Sequence, residues 1–228
     1  MEKAEINNII SNLISAIDSH LYALGYREDP REAEELVALL DDPAFDDFGA
    51  NSRFAELSEN LLNRTLPGLQ MFVRDVNLPA ETAEQYAEGM ILRNPCFTDA
   101  SHRNGGMVTS HRFAILSNHM AELSQITGIE DKRGLVAAQP SSYFQVLKIH
   151  TSRSGETMLL LLHLPSDGSW PFFNKVRLSV MDDIIDDCID RFENRLIECP
   201  IEELTTADWL SRCSAPIGID DKGCFYEL

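Results

Sequence analysis

The segment from Pro95 to Gly106 holds the side chains best suited to chemistry. Cys96, Asp99 and His102 place a thiol, a carboxylate and an imidazole close together in the sequence. A nucleophile needs a base within hydrogen-bond reach, and the glycine pair that follows could aim backbone N–H groups at an anion. These three residues are therefore the candidate catalytic group of a hydrolase-like enzyme. A polar connecting loop is the competing interpretation, and we favour it.

Basic side chains beside this segment extend the candidate site. Arg103, His111 and Arg112 lie in the middle of the chain, where residues 100–180 contain 8 basic and 5 acidic residues. They are the predicted contacts of a small anionic ligand. In the alternative interpretation, which we favour, the same bases pair with acidic residues on flanking helices and bind no ligand.

The rest of the chain is strongly acidic. Its 228 residues include 37 Asp and Glu against 19 Lys and Arg, a net charge of −18. Such a balance argues against nucleic-acid binding and is typical of a well-solvated protein or of one with a basic partner. Two clusters form the predicted partner surface: Asp41, Asp42, Asp46 and Asp47 in a loop around Phe45, and Asp183, Asp186, Asp187 and Asp190 on a helix.

The second acidic cluster contains an Asp-Asp-x-x-Asp run at residues 182–186. Its spacing places carboxylates on one helix face, a geometry that suits hard cations. No second acidic motif accompanies it, and no tight Cys or His pair of zinc-site spacing occurs. The motifs G-x-G-x-x-G, H-E-x-x-H and G-x-S-x-G are also missing. We therefore predict no metal and no cofactor.

Helical periodicity dominates the first part of the chain. Apolar residues recur at helical spacing, and caps bound them, over residues 4–25, 30–40, 52–64, 69–76 and 80–93. The stripe over residues 6–24 could also join two copies into a homodimer. Residues 110–127 are predicted as a further helix, with a strand at His111–Ser117 as the alternative.

The clearest strand pattern covers residues 143–164. Tyr143 to His150 alternates, Thr157 to Leu164 is almost wholly apolar, and a turn separates them. In the predicted register His150 faces Leu159 and His163 faces Val146. Further strands are expected at 172–178, 217–219 and 224–226, and a helix from Ser179 to about residue 198.

Together these patterns predict an α+β fold. An N-terminal helical layer is followed by a small, mainly antiparallel sheet that contains the 143–164 hairpin and is backed by helices. The helical region is placed at residues 1–94 and the α+β region at residues 95–228, and the two are expected to form one compact unit. No apolar run is long enough to span a bilayer, and the acidic N-terminus does not resemble a signal peptide.

Five widely spaced cysteines without a Cys-x-x-Cys pair indicate reduced thiols in a cytoplasmic protein with no membrane association. The favoured hypothesis is a non-enzymatic interaction protein, such as an inhibitor, an immunity-type protein or an adaptor, that binds a basic protein partner. The alternative is a small-anion-binding protein or hydrolase-like enzyme that uses residues 96–112. The sequence leaves enzymatic activity uncertain and leans against it.

Overall fold

The computed structural model describes residues 3–23, 29–43, 45, 51–123 and 132–228. The strands are, in chain order, β1 (Gln70–Val76), β2 (Ile91–Asn94), β3 (Thr98–Ser101), β4 (His111–Ser117), β5 (Ala121–Glu122), β6 (Leu135–Ala138), β7 (Ser142–Thr151) and β8 (Thr157–Leu164). The helices are α1 (Lys3–Ala23), α2 (Pro30–Asp41), α3 (Ser52–Thr65), α4 (Ala80–Ala83), α5 (Trp170–Lys175), α6 (Val180–Leu196) and α7 (Ala207–Arg212), with a 3-10 turn at Glu202–Leu204. Within these residues, no helix has both the length and the apolar character needed to cross a membrane.

All these strands belong to one mixed sheet, in the order β2-β7-β8-β4-β1-β3-β6-β5. Strands β4 and β8 run parallel, and the other pairs run antiparallel. Strands β1 and β4 pair over their whole length, from Gln70 opposite Ser117 to Val76 opposite His111. The β1–β3 pairing rests on Val73 opposite Ser101, so the sheet narrows between β1 and the β3-β6-β5 end.

This sheet overturns the predicted fold. The N-terminal helical layer and the small sheet are wrong, because the sheet is large and mixed, with eight strands, and draws β1 and β2 from residues 1–94. Strand β1 occupies the predicted 69–76 helix, and β4 and β5 occupy much of the predicted 110–127 helix. Phe113, Ala114 and Ile115 are fully buried. A strand covered on both faces shows no polar alternation, so its pattern cannot be told from a buried helix.

The predicted hairpin is present as β7 and β8, although its register differs. His150 faces Met158 because the turn pairs Thr151 with Thr157, one residue away from the predicted register. His163 faces Phe144 because an irregularity between Val146 and Lys148 shifts the pairing by one further residue. The helix predicted from Ser179 is present as α6. Residues 172–178 begin in helix α5 rather than a strand, and the two C-terminal segments meet in a single bridge, Ile219 to Phe225.

Apolar side chains cover both faces of the sheet. On one face, the helices contribute Leu57, Leu61, Phe172 and Phe192, among others, which pack in one cluster with residues such as Leu160. On the other face, Tyr86, Ile217 and Ile219 join Phe113 and Leu159. Helices α1 and α7 cover the β5–β6 end through Ile17 and Trp209. The sheet is therefore a rigid platform for side chains at its edges.

Candidate functional site

A cavity of about 590 Å³ opens beside the narrow part of the sheet. This volume lies within the usual range of small-molecule sites, roughly 300–1,000 Å³. We name it the His102 cavity. Its lining residues come from α1, α3, β1, β4, β5, β6 and the connections between them: His20, Asn63, Arg64, Pro67, Gly68, Gln70, Phe72, His102, Ser117, Asn118, Met120, Glu122 and Val136.

The lining of the His102 cavity divides into an apolar floor and a polar rim. Phe72, Met120 and Val136 are buried, at 6%, 5% and 2% exposure. The rim contains the two imidazoles, one guanidinium, one carboxylate and several amides. An apolar floor with a few converging polar groups is the usual composition of a site for a small polar ligand that carries a ring.

The position of His102 is fixed by its backbone and by Gly134. The His102 N–H donates to the Gly134 carbonyl at 3.0 Å, which extends the β3–β6 pairing by one residue. Gly134 has a φ of 63°, and a Cβ there would come within 2.7 Å of His102 Nε2. The imidazole therefore lies directly against the Gly134 backbone, in space that any other residue would fill.

The Arg64 guanidinium is held at the cavity by an ion pair. It lies 3.0 Å from the carboxylate of Asp167, whose side chain is fully buried. The Ser169 N–H donates to the same carboxylate at 2.9 Å. A buried carboxylate must be paired and hydrogen-bonded to remain charged, so these contacts fix both groups.

Two further histidines lie directly behind the cavity wall. His119 and His163 are 4% and 2% exposed, and their rings stack with centroids 3.9 Å apart. The lining hydroxyl of Ser117 lies 2.9 Å from His163 Nδ1, and the lining amide of Asn118 lies 2.8 Å from His119 Nδ1. All six histidines fall in the described part of the chain, and four of them line or support this cavity.

Both stacked imidazoles are held neutral. Burial lowers the pKa of His119 to about 3, although the nearby Leu164 backbone acts in the opposite direction. Burial, and then the neighbouring His119, lower the pKa of His163 well below 6.5. Ser117 and His163 have the separation of a nucleophile and its base. Since burial opposes proton uptake by His163, this pair is poorly suited to general-base catalysis.

The structure does not bring the predicted catalytic group together. His102 lines the cavity, but Cys96 and Asp99 are not among its lining residues. Cys96 is exposed. Asp99 lies 2.6 Å from the Arg212 guanidinium in an ion pair between β3 and α7. The three side chains therefore do not form a catalytic arrangement, although the segment does contribute one residue to the candidate site.

The three predicted ligand contacts, Arg103, His111 and Arg112, do not line the cavity and contact other residues of the chain instead. Arg103 pairs with Glu203 at 3.2 Å, and His111 Nδ1 lies 2.8 Å from the Ser110 hydroxyl. Burial lowers the pKa of His111.

Arg112 is 1% exposed and makes two contacts with the Asp75 carboxylate, at 2.6 and 2.8 Å. Its third contact, at 2.7 Å, is with the Asn104 side-chain oxygen. Arg112 is therefore a structural residue, which ties the 103–106 loop to the sheet.

The predicted acidic partner surfaces are only partly described. Asp41 pairs with Lys175, Asp42 is exposed, and Asp46 and Asp47 lie outside the described residues. The four aspartates of α6, Asp183, Asp186, Asp187 and Asp190, are all exposed. In the described ranges, no group of three or more His, Cys, Asp and Glu side chains is placed to hold a metal ion. A partner surface and a homodimer through residues 6–24 stay predictions.

Sequence reasoning missed most of the cavity. No motif marks His20, which lies within the apolar stripe of residues 6–24, and none marks Arg64, Gln70 or Glu122. These residues come from four separate elements, so no local spacing could have indicated that they meet. The sequence signals were the candidate catalytic segment, which contains His102, and the concentration of five of the six histidines in residues 100–180.

The sequence matches no family model and no curated protein. Among solved structures, it is similar to Vis toxin, an ADP-ribosyltransferase from Vibrio splendidus, at 12% identity and a TM-score of 0.36, over 74% of this chain and 89% of that one. It is also similar to the ADP-ribosyltransferase HopU1 of Pseudomonas syringae pv. tomato DC3000, at 13% and 0.38, over 59% and 64%. A third is Exoenzyme S of Pseudomonas aeruginosa in complex with human 14-3-3 protein beta and bound to carba-NAD, at 10% and 0.36, over 68% and 74%.

These neighbours correct the favoured functional hypothesis. The ones whose names state an activity are enzymes, so the prediction of a non-enzymatic inhibitor, immunity-type protein or adaptor is not retained. The prediction that leaned against enzymatic activity is corrected together with that hypothesis. At these TM-scores and sequence identities, the structural similarity does not assign an activity to this chain.

Proposed function

We propose that this chain is an enzyme whose substrate is a small anionic molecule of the nucleotide class, bound in the His102 cavity. The observation that carries the proposal is the convergence of His20 and His102 on one cavity with an apolar floor. An imidazole can donate a hydrogen bond to an anion and can also transfer a proton. The cavity therefore combines an apolar floor that can bind a ligand with imidazoles that can transfer a proton to or from it.

Charge supports an anionic ligand at this cavity. The chain as a whole carries −18, yet its cavity is lined by two histidines, one arginine and a single carboxylate, that of Glu122. The Arg64 guanidinium remains 20% exposed beside its ion pair with Asp167. A phosphate or carboxylate could therefore accept hydrogen bonds from this rim, because two imidazoles and one guanidinium outnumber its one carboxylate.

The floor supports a ligand that also contains a planar ring. Phe72 offers an aromatic surface, and Met120 and Val136 extend it with apolar contacts. Rings stack on such surfaces, and thioether sulfur contacts them favourably. A nucleotide has both a ring and an anionic group. We therefore propose NAD as the first ligand to test and ADP-ribosyl transfer from NAD as the first reaction to assay.

Calorimetric titration with NAD, ADP-ribose and AMP tests the proposal. We expect the wild-type chain to bind at least one of the three, and His102→Ala to bind it about tenfold more weakly through loss of a hydrogen bond to a charged group. His150→Ala is the matched control, since His150 pairs with Glu193 and does not line the cavity. Equal binding by wild type and His102→Ala, or binding by none of the proteins, would overturn the proposal.

A further inference from the structure

The wall of the His102 cavity is connected to the buried histidine stack by a continuous set of hydrogen bonds. The Asn118 amide nitrogen donates to the carbonyl oxygens of Arg64, at 2.6 Å, and Pro67, at 3.2 Å. Only the nitrogen of an amide can serve two carbonyls, so the Asn118 oxygen must face His119 Nδ1. His119 Nδ1 therefore carries a hydrogen and donates it to Asn118.

The Ser117 hydroxyl makes the second connection. It accepts the backbone N–H of His119 at 3.1 Å and lies 2.9 Å from His163 Nδ1. His163 is in turn stacked between His119 and Phe144, with ring centroids 3.9 and 4.9 Å away. The His119 ring thus holds Asn118, and the His163 ring holds Ser117. Because the two rings stack on each other, each also holds the other in place.

We propose that the stacked pair of His119 and His163 is a positioning unit for the His102 cavity. It holds Ser117 and Asn118 at the end of β4 and, through Asn118, holds residues 64–67, which connect α3 to the sheet and form one wall of the cavity. The pair does not contact the ligand. The inference rests on the proposed function only where ligand binding is the readout.

The hydrogen-bond inventory of Asn118 explains why this unit positions residues rather than binding a ligand itself. Both amide hydrogens are used by the two carbonyls, and the oxygen is used by His119. A fully satisfied amide in a buried network has one favourable orientation. Residues 64–67 are therefore held in one place relative to β4, and the Arg64 side chain starts from a fixed backbone.

Local amide hydrogen exchange tests the inference without any ligand. His163→Phe keeps a ring in the stack and removes the Ser117 hydrogen bond. We expect amides of residues 64–69 and of His119 to exchange about tenfold faster in this variant, the effect of losing one hydrogen bond. His163→Asn restores a hydrogen-bonding group near the Nδ1 position, and exchange should return toward the wild-type rate. His150→Phe, on the same strand pair, should leave these amides unchanged.

A second measurement addresses the cavity. The dissociation constant of NAD should rise about tenfold in His163→Phe, recover in His163→Asn and stay unchanged in His150→Phe, since only the first loosens the wall. Absence of NAD binding to the wild-type chain would count against the proposed function alone, because the exchange comparison still decides the inference.

Unchanged exchange of residues 64–69 in His163→Phe would overturn the inference whatever NAD does. If His163→Phe instead loses its fold, shown by faster exchange throughout the sheet, His119→Phe replaces it. That variant keeps a ring in the stack and removes the hydrogen that His119 donates to Asn118. Faster exchange confined to residues 64–69 would support the inference, and an unchanged rate there would overturn it.

Discussion

The rings of His119 and His163 stack in the core with their planes 30° apart and their centroids 3.9 Å from each other. Two imidazolium ions could not occupy this arrangement, because each would lose its hydration and repel the other. Because burial also lowers the pKa of His119 to about 3 and that of His163 well below 6.5, both rings are neutral near pH 7. Through Asn118 the pair is joined to the backbone carbonyl of Arg64, whose guanidinium is paired with Asp167.

Neutral buried histidines make folding stability dependent on pH. The folded pKa of His119, about 3, and that of His163 both lie below the unfolded value of 6.5. Their contribution is therefore fully present above pH 6.5 and declines as the pH falls from 6.5 toward the folded values. We expect the free energy of unfolding to fall by up to about 1.4 kcal/mol per pH unit for each histidine in this range.

Urea unfolding at pH 7.5 and 5.5 measures this dependence where carboxylates scarcely titrate. His163→Phe should show a smaller loss of stability between the two values than the wild type, since one titrating group has been removed. The same pH dependence in both proteins would show that the stack does not carry it. His150→Phe is the comparison, because it removes a histidine outside the stack.

The contact between Gly134 and His102 predicts a non-additive pair of substitutions. Gly134→Ala should displace the imidazole and weaken NAD binding about as much as His102→Ala, and should add about 1–2 kcal/mol of strain from the positive φ. In His102→Ala with Gly134→Ala, binding should match His102→Ala alone. Additive losses of binding affinity would show that Gly134 acts by some route other than His102.

The buried ion pair of Asp75 and Arg112 predicts a large change in stability. Asp75→Asn leaves a guanidinium that is 1% exposed without its counter-charge, which should cost about 3–5 kcal/mol in the free energy of unfolding. Replacing both residues, as Asp75→Leu with Arg112→Met, should cost less than the single change. Asp183→Asn on the exposed face of α6 should alter stability by less than about 0.5 kcal/mol. Chemical denaturation of the four proteins makes the comparison.

The five cysteines should separate into two reactivity classes. Cys96, Cys199 and Cys224 are exposed, whereas Cys188 and Cys213 are buried. Burial raises the pKa of both Cys188 and Cys213 to about 11, and only a thiolate reacts quickly. A thiol-reactive dye should therefore label three cysteines in the folded chain and all five after unfolding. Rapid labelling of Cys213 in the folded chain would contradict its buried position at the C-terminal end of α7.

The sequence predicts a helix or a strand correctly where its apolar residues fit only one of the two periodicities. The alternation of Tyr143 to His150 led to the β7–β8 hairpin, and the apolar stripe from Met181 to Phe192 led to α6. Strand β4 was predicted only as the alternative to a helix, because its residues from Phe113 to Leu116 are buried on both faces. Their spacing with Met120 then satisfies a helix as well as a strand.

The cavity could not be predicted from the sequence for a different reason. His20 and His102 meet only because α1 packs on the end of the sheet where β3, β6 and β5 lie. The segment around Cys96 did indicate His102, but the close sequence spacing of Cys96 and Asp99 to it was misleading. Along β3, neighbouring side chains point to opposite faces, so proximity in sequence is not proximity in space.

The most direct test of the proposed function uses the six histidines as reporters. In the chain labelled at its histidine rings, NAD is added while the ring signals are followed by NMR. The signals of His20 and His102 should shift with NAD concentration, and those of His111 and His150 should stay in place. Shifts at His111 or His150 without shifts at His20 and His102, or no shift at any histidine, would contradict a ligand site in the His102 cavity.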